Sequence, residues 1–163
     1  MTESLVHFFS QFPPQLAVFL MAMTPIGELR LSLPVGVVAY HLPIWQVVFF
    51  SIVGNMLPAT LLLLFAPAFH RYIEKRSGFF GAAWIKFLAR AQKKFAGDYA
   101  KWGLIGLVIF IGIPLPITGA WTGAAAAFVL GLPFLKSWLA IFAGVVMAAV
   151  IILSMTLGVT NIF

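Results

Sequence analysis

The sequence predicts an all-α integral membrane protein: an inverted repeat of a re-entrant helical hairpin plus a transmembrane helix, with a basic amphipathic interfacial helix between the repeats. Three observations carry that prediction. Of the 163 residues, 63% are hydrophobic and only 9% charged, where a soluble domain has about a quarter charged; mean hydropathy is +1.08. The dipeptide Leu42-Pro43 recurs as Leu132-Pro133, 90 positions later, each opening a long apolar run, and Gly54 and Ala59 fall on Gly144 and Ala149. The segment before the second of these runs, 102 to 132, has 31 residues with Pro114-Leu115-Pro116 in its middle, and two membrane crossings need about 40.

The first repeat covers about 5–67. An apolar segment at 5–23 is expected to stay in place, because Met1-Thr2-Glu3-Ser4 lacks the basic start of a removable signal peptide. A stretch at 24–42 interrupted by Pro25, Gly27, Pro34 and Gly36 follows, then a full span from Ile44 to Phe65. The 38 residues of 5–42 nearly suffice for two spans, so the hairpin and the two-span readings both remain there.

A linker at about 68–101 separates the repeats. Eight of the ten Lys and Arg residues lie between Arg71 and Lys101, which by the positive-inside rule sets this loop on the cytoplasmic side of a multi-pass protein in the cytoplasmic (inner) membrane. The net charge of +6 is thereby assigned to membrane lipid headgroups and not to nucleic acid. Within 79–98, Phe80, Trp84, Phe87, Leu88, Ala91 and Phe95 recur at helical spacing while Lys86, Arg90, Lys93 and Lys94 fall mainly elsewhere. That pattern is a helix lying on the leaflet, with a cytosolic partner as the alternative occupant of its face.

The second repeat covers about 102–160, with a segment at 102–113, a break at 114–132 marked by Pro114, Pro116 and Gly119, and a span from Phe134 to about Leu157. A hairpin followed by one span changes sides once per repeat, so the second copy is upside down relative to the first. The two hairpin tips are then expected to meet near the midplane, bringing Glu28 and Arg30 to Pro114, Pro116 and Thr118. Such broken, repeated segments mark the binding sites of many transporters.

Candidate site residues follow from cost. An ionisable group at bilayer depth costs about 2.5 to 3.5 kcal/mol on insertion scales and is normally kept for a substrate or proton path, which singles out Glu28 and Arg30. Arginine's planar guanidinium suits phosphate or carboxylate, and a carboxylate kept from water is a natural proton acceptor. The competing reading is a structural ion pair, although residues two apart do not share a helical face and a direct pair needs non-helical backbone. Ser51 and Asn55 share one face of the first span, as interhelical glue or as cavity lining. Gly119 and Gly123 form a Gly-x-x-x-Gly expected to pack on the Gly54 or Gly144 helix, or across a homodimer.

Several chemistries are excluded. There is no cysteine, hence no thiolate metal site, disulfide or cysteine nucleophile. His7, His41 and His70 are scattered, and no metalloprotease, phosphate-loop or nucleophile-elbow motif occurs. No enzyme, cofactor or metal is expected.

The run Pro25-Ile26-Gly27-Glu28-Leu29-Arg30 with Pro34 and Gly36, and the later Pro114-Leu115-Pro116-Ile117-Thr118-Gly119-Ala120-Trp121, resemble the small multi-drug export protein family and, more remotely, the DedA superfamily. The resemblance implies paired inverted hairpins whose acidic and basic residues serve transport, with Glu28 as the proton-linked acid and Arg30 as the anion-binding base. It also implies proton-linked movement of phospholipids or lipid-phosphate carriers. The second hairpin departs from the DedA pattern in carrying Thr118 and Trp121 in place of a charge.

The expected function is therefore a small secondary transporter, proton-coupled, for an amphipathic or anionic substrate: a drug-like compound or a phosphate-bearing lipid carrier. A non-transporting scaffold that recruits anionic lipid or a partner through its basic helix is the alternative. A homodimer is expected because a chain of 17.8 kDa offers little wall for a closed cavity.

Overall fold

The computed structural model describes residues 9, 11–74, 79–95, 102–115 and 118–160. Pro116 and the side chain of Lys94 lie outside the described residues, as do 96–98 of the amphipathic stretch and 5–8 of the first segment. The described residues form helices and connections with no strand: α1 (Pro14–Met23), α2 (Glu28–Pro34) continued by a π-helical turn (Val35–Ala39), α3 (Ile44–Glu74), α4 (Phe79–Phe95), α5 (Gly103–Gly112), α6 (Ala120–Val129) and α7 (Phe134–Thr160). Only α3 and α7 are long and apolar enough to cross a membrane, while α1, α5 and α6 are short apolar helices.

Both halves break their first helix with the same device. Proline disfavours helical backbone in the residue before it, and Thr24, before Pro25, is extended at φ −73°, ψ 138°, as is Ile113, before Pro114, at φ −82°, ψ 115°. At the first break the Thr24 hydroxyl donates to the Met21 carbonyl at 2.8 Å and accepts the Gly27 N–H at 3.1 Å. At the second, the Thr118 hydroxyl donates to the Leu115 carbonyl at 2.8 Å. Each hydroxyl thus serves backbone groups that an interrupted helix leaves without partners.

Both long helices begin one residue after a Leu-Pro pair, at Ile44 and Phe134. Their glycines take equivalent places. A Cβ on Gly54 would overlap the Phe19 carbonyl of α1, and one on Gly144 would stand 2.9 Å from the Val108 carbonyl of α5. In each half, then, the short first helix lies against the glycine of its own long helix. The second short helix packs across the halves: α6 against α3 and α2 against α7, with α3 and α7 also in contact. The core between them holds Leu33, Met56, Leu107, Ala124, Ile141 and Val145. The helix that carries Gly123 packs on the Gly54 helix and touches the Gly144 helix, while the atoms nearest Gly123 itself are those of Ile111 and Leu107 of α5.

Two expectations are corrected. Helix α3 runs on past Phe65 to Glu74 through Pro58 and Pro67; a proline removes one N–H from the ladder, and the packed helix absorbs the loss. The apolar face of α4 is also not laid on lipid along its length. Leu88, Ala91 and Phe95 are buried in the core, α4 packs on α6, and Trp84 meets Phe69 and Phe128 with ring centroids 5.1 and 6.4 Å apart. An apolar stripe of this kind satisfies either solvent, and here protein takes most of it.

Candidate functional site

The two helix breaks are tied together by side chains of one half and backbone of the other. Arg30 donates through Nη1 to the Leu115 carbonyl and through Nη2 to the Thr118 carbonyl at 2.8 Å. Both acceptors belong to the break between α5 and α6, outside any helical ladder, and the Leu115 carbonyl also accepts the Thr118 N–H and hydroxyl. Glu28 works on the other side of the same break. Its carboxylate accepts the backbone N–H of Trp121, the second residue of α6, and so caps a positive helix N-terminus from outside its own segment. Trp121 answers in kind, its indole Nε1 donating to the carbonyl of Met23 at 3.1 Å, where α1 ends.

Glu28 reaches this position through unusual backbone. Its φ is +46°, the left-handed region that costs a residue with a side chain about 1 to 2 kcal/mol. This is the non-helical geometry that a direct Glu28–Arg30 contact requires. Glu28 Oε2 lies 3.6 Å from Arg30 Nη2, with side chains 7% and 27% exposed respectively. Gly119 completes the fit: it has φ +154°, and a Cβ there would overlap the Glu28 carboxylate. Backbone approaches carboxylate this closely only because glycine has no side chain.

Two spaces flank the pair. A cavity of about 10 Å³ is bounded by Glu28, Arg30, Asn55, Pro114, Thr118 and Gly119. Beyond Arg30 opens a groove of about 510 Å³ whose walls are mainly Pro34, Val38, Pro114, Ile152 and Met155. Arg30 borders both. Two of its five donors are engaged by the Leu115 and Thr118 carbonyls.

Among the site residues read from the sequence, the structure brings Glu28, Arg30, Asn55, Thr118, Pro114 and Gly119 together around the cavity. Ser51 lies one turn from Asn55 on α3, fully buried. The Thr118 hydroxyl is spent on its own turn, so its contribution is the carbonyl. Pro25, Gly27 and Pro34 shape the first break and α2. Lys86, Arg90 and Lys93 are exposed on α4. Sequence reasoning gave no role to Trp121 beyond the family motif, and none to the carbonyls of Met23 and Leu115. A lone tryptophan beside a run of alanines was the available signal for the first; backbone acceptors leave none.

A helical membrane protein whose two helix breaks are joined by one internal ion pair is the class that this fold and site define. A family model described as "Putative small multi-drug export protein" matches residues 28–151. The chain belongs to that family, and the match begins at Glu28 itself. No curated protein and no solved structure matches the chain.

Proposed function

We propose that this protein is a small secondary transporter that moves an amphipathic anion together with a proton, using Arg30 for the anionic group and Glu28 for the proton. The observation that carries this reading is the position of Arg30, a guanidinium shared between a buried carboxylate and the apolar groove of about 510 Å³. The groove would take an apolar body while the guanidinium takes a phosphate or carboxylate head. Phosphate-bearing lipid carriers and drug-like anions both have that form.

Charge balance gives the coupling. At rest the pair is neutral, Arg30 with ionised Glu28. An anion on Arg30 leaves the site one negative charge in excess, and in a water-poor interior a proton on Glu28 removes it. The anion-loaded, protonated site has the same net charge as the empty one, so anion and proton travel in the same direction. Protonation also withdraws the charge that caps α6, loosening the joint between the halves. The left-handed strain at Glu28 suits a residue held in place by partners that a cycle can release.

The lengths support a re-entrant, inverted arrangement. Helices α1, α5 and α6 have 10 residues each, about 15 Å, half of a hydrocarbon core of about 30 Å. Prolines Pro25 and Pro114 would then mark the hairpin tips at the midplane. With the basic linker cytoplasmic, the groove along the C-terminal half of α7 opens on the opposite side.

The test is reconstitution in liposomes under a pH gradient, with lipid-phosphate and drug-like anions as cargo. Glu28→Gln is expected to lose gradient-driven uptake and Arg30→Lys to lose most of it; uptake unchanged in both ends this mechanism. One observation favours a second reading, in which α4 recruits anionic lipid without transport: Lys86, Arg90 and Lys93 stay exposed at helical spacing while the opposite face is docked. Replacing all three by Gln abolishes activity under that reading and leaves transport largely intact under the first.

A further inference from the structure

Several buried polar groups that the ion pair does not use lie along one helix contact, that of α2 with α3. The Asn55 Oδ1, Ser51 Oγ and Ser32 Oγ atoms are buried and find no hydrogen-bond partner among the described residues, and the three side chains are at most 1% exposed. A buried acceptor or hydroxyl left without a partner forfeits the hydrogen bond that water gave it in the unfolded chain, so three in one region call for a ligand that supplies hydrogen bonds.

Their placement says which. Asn55 borders the small cavity with Glu28 and Thr118. Ser51 precedes it by one turn of α3, toward the end at which that helix begins. Ser32 lies one turn beyond Glu28 on α2, which packs against α3. The Tyr40 hydroxyl, also buried and without a partner among the described residues, stands past the π-helical turn at the far end of the same segment. The row leads from Glu28 along the α2–α3 contact toward the end of α3 away from the basic linker. A cavity of about 10 Å³ is at the size that admits one water and is too small for any organic group. Water, which donates and accepts, suits an unpartnered amide and hydroxyls together.

We propose that Asn55, Ser51 and Ser32 hold internal water and form the route by which Glu28 exchanges its proton with the face opposite the basic linker, Asn55 being the positioning residue beside the carboxyl. The proposal rests on the transport reading for its purpose but not for its test. Toward the other face the Ser137 Oγ and Trp84 Nε1 atoms are also buried without a partner among the described residues, but neither borders the cavity beside Glu28; between them and that cavity Thr60 is engaged, its hydroxyl accepting the Trp138 Nε1–H at 2.9 Å, and the core holds Leu62, Leu63 and Ala124 to Ala127.

The experiment is hydrogen–deuterium exchange at the protonated Glu28 carboxyl, followed by infrared difference spectroscopy on the full chain in lipid at low pH, with the band assigned by its loss in Glu28→Gln. Asn55→Val is expected to slow the exchange about 100-fold, the low end of what positioned proton relays supply. Asn55→Ser, which puts a hydroxyl that can hold water in place of the amide, should recover most of the rate, and Ser51→Ala with Ser32→Ala should slow it again. Equal exchange in the native chain and in Asn55→Val overturns the route, as does slowing that Asn55→Ser fails to recover. Liposome transport is scored separately. A native chain that exchanges through Asn55 but carries no cargo refutes the transport reading and leaves the water route standing; a transporter whose Asn55→Val variant exchanges normally does the reverse.

Discussion

The two halves of the molecule have the same elements in the same order, yet they contribute opposite kinds of chemistry to the site. The first half supplies side chains, Glu28 and Arg30, with Asn55 and Ser51 behind them. The second supplies mainly backbone: the Leu115 and Thr118 carbonyls and the Trp121 N–H, with the Trp121 indole returning a bond to the Met23 carbonyl. At the offset of 90 positions, Glu28, Arg30, Ser51 and Asn55 fall on Thr118, Ala120, Ile141 and Val145, none of them charged. Two halves built from the same elements can thus share packing devices while the buried charge sits in one, the other being recognised through the donors and acceptors that its helix break exposes.

The largest effect should come from removing the side chain that makes two hydrogen bonds to the other half. Arg30→Ala takes the side-chain donor from the Thr118 carbonyl, one of the donors from the Leu115 carbonyl, and the cation from buried Glu28, and breaking a buried pair in this way costs about 3 to 5 kcal/mol. The expected result is loss of a monodisperse folded fraction in detergent, or a large fall in its denaturation midpoint. Arg30→Lys, which keeps the charge but cannot fork between two acceptors, should fall between the two. Next in size is Gly119→Ala, which adds a Cβ onto the Glu28 carboxylate and asks an L side chain to adopt φ +154°. A loss of about 2 to 3 kcal/mol is expected, within the range of overpacked sites. Combining it with Glu28→Ala, which clears the space, should restore part of that loss; strict additivity would show that the carboxylate is not what the glycine accommodates.

The comparison also explains what the sequence could and could not convey. The helix breaks were legible because a proline changes the residue before it wherever it stands, and Pro25 and Pro114 each do so. The long helices were legible from Leu42-Pro43 and Leu132-Pro133 for the same reason. The importance of Glu28 and Arg30 followed from the cost of charge in an apolar chain. Their bonding did not follow, because the acceptors for Arg30 are carbonyls, which every residue has, and the left-handed backbone of Glu28 is set by partners 90 residues away. The apolar face of α4 was legible, but the same periodicity serves for lipid and for protein, so its docking on α6 was not.

A smaller pair of effects tests whether the halves are equivalent in packing. Gly54→Ala and Gly144→Ala should each cost about 1 to 3 kcal/mol by separating a long helix from its short neighbour, the first more than the second because its Cβ meets a carbonyl more directly. Denaturation midpoints of the two variants measured side by side decide it, and a neutral Gly144→Ala would break the equivalence. Below these comes Trp121→Phe, which keeps a ring in the core and deletes only the bond to the Met23 carbonyl. About 1 kcal/mol is expected, with Glu28 still capping α6.

The smallest effect on stability is the most informative about function. Asn55→Val installs in the first half the residue that the second half carries at position 145, replacing a buried amide whose Oδ1 finds no partner among the described residues. Removing a polar group together with the water that served it is close to neutral, so the denaturation midpoint should move by an amount equivalent to less than about 1 kcal/mol in either direction. If the change instead costs about 2 kcal/mol or more, Asn55 is a structural bond between helices, and the difference between the halves is one of packing. A near-neutral result, with proton exchange at Glu28 slowed, means that the first half keeps an amide where a valine would fold as well. What distinguishes the halves is then access to the buried carboxyl.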